Sequence, residues 1–323
     1  MKFHLEFSIP PFSEKLNPNH SLLFMGSCFS ENIGEQMRKY KFPVIVNPHG
    51  ILFNPASITL ALNRYIRKGE MNVSELFESH GLWHSSEHHS RFSNSDKELC
   101  LAGINQQITQ AHHHLQKAEW LFITLGSAFH YREKSSGKVV GNCHKLPQNL
   151  FVKELPELSE MLLGQQSMIN DLRKLNPGIK IVFTVSPVRY VRDGLVENNR
   201  SKARLIELVH TLAETNKNVF YFPAYDLVMD DLRDYRFFKE DLVHPNEQAI
   251  EYVFQKLMDC SFSEKSRQMI VALDEIIQAI GHRPANSETN AHQKFRSVNL
   301  QKCLDLQTEF PSLILQQEIA FFS

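Results

Sequence analysis

Five short apolar runs, each closed off by turn-forming residues and separated by stretches of helical period, constrain this chain to an α/β fold. The runs cover residues 21–25, 44–46, 120–125, 180–185 and 219–222. Each is too short for a helix and rich in aliphatic or β-branched side chains, as befits strands buried on both faces. Helix-period segments lie between them at 31–39, 55–68, 97–118, 155–175, 196–216 and 246–260. Asn54-Pro55 and Asn246 stand where N-caps are wanted, and Asn176-Pro177-Gly178 ends one helix. Strands alternating with helices predict a mostly parallel sheet covered on both faces. The pattern does not say which strand neighbours which.

Around this frame, residues 129–140, with Ser135-Ser136-Gly137-Lys138 at their centre, read as a β-hairpin inserted after the third strand. The polar, histidine-rich stretch 72–96 lacks a clear period and reads as an irregular excursion over the sheet. An amphipathic helix is expected at 263–280, then a polar stretch 281–292 containing Pro284, then a helical tail. The expected division is a sheet domain over 1–260 and a helical C-terminal extension over 261–323.

Lys+Arg 35 against Asp+Glu 36 leaves a net charge of -1, so no global field favours nucleic acid or an anionic membrane surface. Residues 1–12 lack the apolar run of a signal peptide, and eighteen apolar residues never follow one another. A cytoplasmic location is the expectation. The five cysteines, Cys28, Cys100, Cys143, Cys260 and Cys303, form no C-x-x-C pair and suit reduced thiols.

The chemistry concentrates at two points. After the first strand, Gly26 supplies a sharp turn, and Phe29, Ile33 and Met37 repeat along the helix that follows. A hydroxyl or thiol in such a strand-turn-helix unit lies at the carboxyl edge of the sheet and faces backbone N–H groups able to hold an oxyanion. Ser27 and Cys28 both qualify. Just before the helix at 246–260 stands Asp241-Leu242-Val243-His244-Pro245. A carboxylate three residues before an imidazole can accept its Nδ1 proton and leave Nε2 to act as a general base.

Together these features resemble the SGNH/GDSL hydrolases, and specifically the GSCFA family, whose motif is matched by Gly26-Ser27-Cys28-Phe29-Ser30 with serine in the last place. The stretches from Asn47-Pro48-His49-Gly50 to Asn54-Pro55, Thr124-Leu125-Gly126, Asn142-Cys143-His144-Lys145, Ser186-Pro187-Val188-Arg189 and Asp234-Tyr235-Arg236-Phe237 are also similar to that family. The resemblance implies a flavodoxin-like three-layer α/β/α fold and an esterase or acyl-transfer site needing no cofactor. Gly50 and Gly126 then fall in the blocks that help bind the oxyanion. The asparagine expected after Gly126 is replaced by Ser127-Ala128, and Asn142 or His144 is the candidate substitute. If glycine aligns with glycine, Cys28 is the nucleophile; if serine aligns with serine, Ser27 is. A helix N-terminus beside an imidazole is expected to lower a thiol's pKa.

Other features weigh less. His84, His88, His89 and His112-His113-His114 lack acidic or thiol partners at metal-ligand spacing and read as surface histidines. Arg189 is a candidate clamp for a substrate carboxylate or phosphate, or else a loop salt bridge. The Gly26 turn lacks G-x-G-x-x-G, and 135–138 lacks the phosphate-loop spacing. The expectation is an enzyme that cleaves or transfers a small acyl ester, such as acetyl on a sugar. The alternatives are a non-catalytic module binding a carboxylate or carbohydrate, or a phosphate- or nucleotide-binding protein.

Overall fold

The structure, a computed structural model, describes residues 7–283 and 289–323. Strand β1 (Leu22–Gly26) runs into α1 (Cys28–Lys39), and β2 (Val44–Val46) is followed by α2 (Pro55–Arg67). Strands β3 (Leu76–Ser79) and β4 (Leu82–Ser85) precede α3 (Lys97–Leu115) and β5 (Trp120–Leu125). Three short strands, β6 (His130–Glu133), β7 (Val139–Val140) and β8 (Phe151–Glu154), come before α4 (Leu158–Leu175). Then follow β9 (Lys180–Val185), α5 (Leu195–Thr215), β10 (Val219–Tyr221) and the single turn α6 (Ala224–Asp226), which continues as a π-helical turn over Leu227–Leu232. Four helices close the chain: α7 (Glu247–Ser261), α8 (Glu264–Gly281), α9 (Asn290–Glu309) and α10 (Gln316–Phe322).

The central sheet is parallel throughout, in the order β10-β9-β5-β1-β2. Counting its five strands along the chain, this is the flavodoxin-like order 2-1-3-4-5, with the reversal of direction between β1 and β5. The period-2 alternation of each strand sorts its side chains into two cores. Leu22 and Phe24 of β1, with Trp120 and Phe122 of β5, face a layer built from α1, α7 and the C-terminal helices. Leu23 and Met25, with Leu121, Ile123 and Leu125, face α2, α3, α4 and α5. Phe24 and Phe122 stack with ring centroids 4.3 Å apart, tying the two strands on the first face. The expected three-layer arrangement is the one observed.

The C-terminal helices belong to that first core, to which α8 contributes Met269, Ile270 and Leu273, α9 Cys303 and Leu306, and α10 Phe322. An N-terminal strap joins them, with Phe12 N–H donating to Cys260 O at 2.9 Å and Leu16 N–H to Ser261 O at 2.8 Å. Among the described residues no helix is long and apolar enough to cross a membrane. All five cysteines are free thiols.

Some expectations need correction. The stretch 72–96 is not irregular: β3 and β4 pair antiparallel within it, Leu76 opposite Ser85. His84 and His88 are buried rather than at the surface, with His84 Nδ1 at 2.6 Å from Ser93 Oγ and His88 Nδ1 at 2.9 Å from Ser85 Oγ. The hairpin expected at 129–140 gains β8 as a third strand, on the other side of β6. Helix α4 starts three residues late because Pro156 precedes it, and α1 starts three residues early, at Cys28. Residues 1–6 and Pro284, which entered the signal-peptide and polar-stretch readings, lie outside the described residues.

Candidate active site

Gly26 ends β1 in a conformation open only to glycine. Its φ is 137°, and a Cβ there would lie 2.2 Å from Thr124 O on β5. Its N–H donates to Asn47 Oδ1 at 2.8 Å, and the next amide, Ser27 N–H, donates to Thr124 O at 3.1 Å. The turn is thereby sewn to β2's end and to β5, at the point where the sheet order reverses. Ligands of open α/β sheets bind in that crevice.

Ser27 is the N-cap of α1. It is buried, and its Oγ accepts from Phe29 N–H at 3.3 Å. Cys28, the first helical residue, is only half-buried. Its thiol is pushed up from the ordinary value, chiefly by burial and then by the charge of Glu31; the amides of Phe29 and Cys28 itself and the charge of Lys202 act in the opposite sense. The expected lowering by the helix N-terminus is therefore overturned. Desolvation and a carboxylate one turn along outweigh the amides.

Asp241 and His244 are brought together. His244 Nδ1 lies 2.7 Å from Asp241 Oδ2, while Asp241 Oδ1 accepts the amides of Val243 at 2.9 Å and His244 at 3.0 Å. These bonds hold the exposed Asp241 carboxyl well below the usual range. Leu242 takes a positive φ of 56° to close the turn, and Asn246 caps α7 through Ala249 N–H. Arg189 braces the turn from the end of β9. Its N–H donates to Val243 O at 3.2 Å, its Nη1 to Leu242 O at 2.9 Å, and its guanidinium sits 4.0 Å from the Phe238 ring centroid. Among the described residues the guanidinium forms no carboxylate bridge; its Nη1 holds the Leu242 carbonyl beside His244, and the Arg189 backbone N–H holds that of Val243.

The two turns share one edge of the sheet. Cys28 starts α1 and His244 lies just before α7, the two helices pack together on the same face, and each begins at the carboxyl end of the strands. The remaining candidates sit differently. Gly50, with φ 80°, gives its amide hydrogen to Asn47 O at 2.7 Å, and Gly126 gives its own to Phe53 O at 2.7 Å. Asn142 and His144 line a cavity of about 710 Å³ with Phe53, Tyr131, Tyr190 and Arg192. There Asn142 Oδ1 accepts His144 N–H at 2.8 Å, and His144 Nε2 lies 2.8 Å from Ser85 O. Lys145 and Arg192 are among its walls and no carboxylate is. A second cavity, of about 590 Å³, has Arg64, Glu75, Glu87 and His130 in its lining. Neither wall includes Ser27, Cys28 or His244. Among the described residues no group of three His, Cys, Asp or Glu side chains could hold a metal ion.

Two residues near the turn had no role assigned from sequence, although Asn47 stands in one of the family-like stretches. Asn47, buried, orients Gly26 through its Oδ1 while its Nδ2 has no hydrogen-bond partner. Lys202 of α5 is fully buried, and its Nζ donates to Gly126 O and Ser186 O, both at 2.6 Å. The signal was present in α5: its inward stripe Leu205, Leu208, Val209 and Leu212 extends at helical spacing through Lys202, Ser201 and Asn198.

No curated protein matches the chain. Two solved structures are similar to part of it, a carbohydrate esterase family 3 protein from Talaromyces cellulolyticus and an acetyl esterase mutant with acetate ion. Both are 10% identical with a TM-score of 0.28; the matches cover 50% of this chain and 62% of the first, 51% and 66% of the second. The chain thus spans less than two thirds of either, and likeness this low carries no argument about activity. A model of the GSCFA family matches residues 21–257, and one of the GSCFA domain protein, C-terminal domain, matches residues 273–323. The first match takes in both turns and the sheet that joins them, and the chain belongs to the GSCFA family.

Proposed function

We propose that the protein is an esterase or acyltransferase that works through an acyl-enzyme on Cys28. The observation that carries this reading is the pairing of two helix starts on one sheet edge, a half-buried thiol on α1 and an Asp241–His244 couple at α7. Ser27 is buried and engaged as a cap, so the thiol is the better placed nucleophile. In the first step Cys28 gives its proton to His244 Nε2, and sulfur bonds to the ester carbonyl carbon. The displaced electron pair becomes an oxyanion facing the first amides of α1. Collapse breaks the ester C–O bond, and the leaving alkoxide takes the proton back from His244. Water or an acceptor hydroxyl then attacks the thioester carbonyl and gives its proton to His244 Nε2; the C–S bond breaks, the acid or new ester leaves, and His244 returns the proton to the Cys28 sulfur while Asp241 holds its Nδ1 proton. The alcohol half occupies the 710 Å³ cavity, whose aromatic and amide walls suit a sugar and whose Lys145 and Arg192 suit a negative charge.

The test is acyl-probe labelling, read by peptide mass, together with hydrolysis of short-chain aryl esters. Wild type and Ser27→Ala should label at position 28, and Cys28→Ala should not. A wild type that neither labels nor hydrolyses refutes the reading. One observation favours a second reading, a binding module: Gly50 and Gly126 already have main-chain acceptors, and burial pushes the Cys28 thiol up rather than down. Tight binding of a carboxylate or acetylated sugar, indifferent to Asp241→Ala and His244→Ala, would establish it.

A further inference from the structure

The cavity of about 590 Å³ has no part in the chemistry at Cys28, and it lies between α2, α4 and the β6–β7 pair. Tyr131 and Val140 stand opposite one another and wall the cavity of about 710 Å³, while the next pair, Arg132 and Val139, walls this one. Successive residues of a strand point to opposite faces, so the two cavities share β6 and β7 as a partition. An occupant here sits behind that partition, away from both turns, and is held rather than turned over.

The lining is apolar over Pro55, Leu60, Ala128, Val139, Pro156 and Met161. Its charges balance. Arg64 is bridged to Glu75 and Glu87, and Arg132 to Glu154, whose Oε2 also lies 2.9 Å from His130 Nε2. Lys138 and Glu160, with no ion pair among the described residues, are one of each sign, so the wall selects neither an anion nor a cation. Gln165 supplies a directed group. It is 1% exposed, and its Nε2 donates to Pro55 O at 3.1 Å and to Thr59 Oγ1 at 2.7 Å. A carbonyl only accepts, so the amide cannot be turned over, and the atom left without a hydrogen-bond partner among the described residues is the acceptor Oε1. A buried acceptor left unpaired is costly, and a single N–H or O–H relieves it. Gly164, also in the lining, sits inside α4, where glycine is a poor helix former, and a Cβ built on it meets nothing within 4 Å. It leaves the mouth open. We propose that this cavity binds an uncharged small molecule with an apolar body and one N–H or hydroxyl, which donates to Gln165 Oε1. The site is independent of which residue is the nucleophile.

The test reads binding rather than turnover. Indole and benzofuran are bicyclic isosteres of which indole alone carries an N–H; each is titrated into the full chain and followed by saturation-transfer NMR. Wild type should bind indole saturably and about tenfold more tightly than benzofuran, the effect of one hydrogen bond to a buried acceptor. Gln165→Met, which keeps the length of the side chain and removes the acceptor, should bring the two probes to equal affinity. Gly164→Trp, which places a large side chain in the open mouth, should exclude both. Should Gln165→Met fail to fold, Gly164→Trp still decides whether this cavity holds the probe, and the wild-type preference for indole still decides whether a donor is read. Indole that does not saturate, that binds no better than benzofuran, or that binds Gly164→Trp as well as wild type overturns the proposal.

Discussion

Acidification is expected to destabilise the protein before its carboxylates begin to titrate. His49 and His88 are buried with their rings stacked 3.8 Å apart between centroids. The Nε2 of each has no hydrogen-bond partner. Burial, then the charges of Arg64 and His144, bring His88 down to about 3, and burial holds His49 well below the ordinary histidine value. A histidine with a depressed folded-state pKa is neutral when folded. Protons then bind the unfolded chain preferentially once the pH drops below its own value of about 6.5. The stabilisation is complete above that pH and is lost as the pH falls toward the folded value. Each such histidine contributes a slope of about 1.4 kcal/mol per pH unit, so between pH 6.5 and 5 His88 alone removes about 2 kcal/mol. His49 acts in the same direction, whereas Glu75 and Glu154, whose pKa values are lowered, lose their contribution only at lower pH. Urea unfolding followed by tryptophan fluorescence at pH 7, 6 and 5 measures the slope, and His88→Gln should reduce it by about 1.4 kcal/mol per unit. A midpoint that stays constant from pH 7 to 5, or a slope that His88→Gln leaves unchanged, refutes the reasoning.

Three further outcomes are expected. Gly26→Ala forces a Cβ to 2.2 Å from Thr124 O at a φ of 137°, so urea unfolding should show a loss of about 3 kcal/mol or more. Arg189→Met removes the bond to Leu242 O and the contact with Phe238. Stability should fall by about 1 kcal/mol, and ester hydrolysis should lose kcat more than KM because the His244 turn loosens. Arg192→Ala, on the cavity wall, should raise KM for esters of anionic alcohols and leave kcat and neutral esters unchanged; steady-state kinetics on paired substrates decides this.

The parts of the fold that could be read from the residues are those whose burial is two-sided. Strands β1, β5 and β9 are covered on both faces, so each is an unbroken apolar run whatever its neighbours are. The β3–β4 pair was missed because Glu78 and His84 interrupt it, and histidines that look solvated in sequence are enclosed by residues distant in the chain, His88 by His49 and His84 by His144. The Gly26 turn and the Asp241–His244 couple were legible because both are made by residues within a few positions of each other. Lys202 was not, since its meaning depends on two carbonyls 76 and 16 residues away. The ionisation of Cys28 went the other way from expectation because local helix chemistry is visible in sequence and desolvation is not. Strand order has no local signature at all.

The layer over one face of the sheet has a consequence for how the protein is made. Phe24, Trp120 and Phe122 emerge from a ribosome early, yet much of what covers them, α7 to α10, is encoded after residue 246. During synthesis that aromatic face has α1 over it but lacks α7 to α10, while the opposite one, roofed by α2 to α5, can already close. A nascent chain halted before α7 is then a half-roofed sheet, a sticky species for chaperones to hold. The strap at Phe12 and Leu16, waiting for Cys260 and Ser261, can lock only after α7 has been delivered.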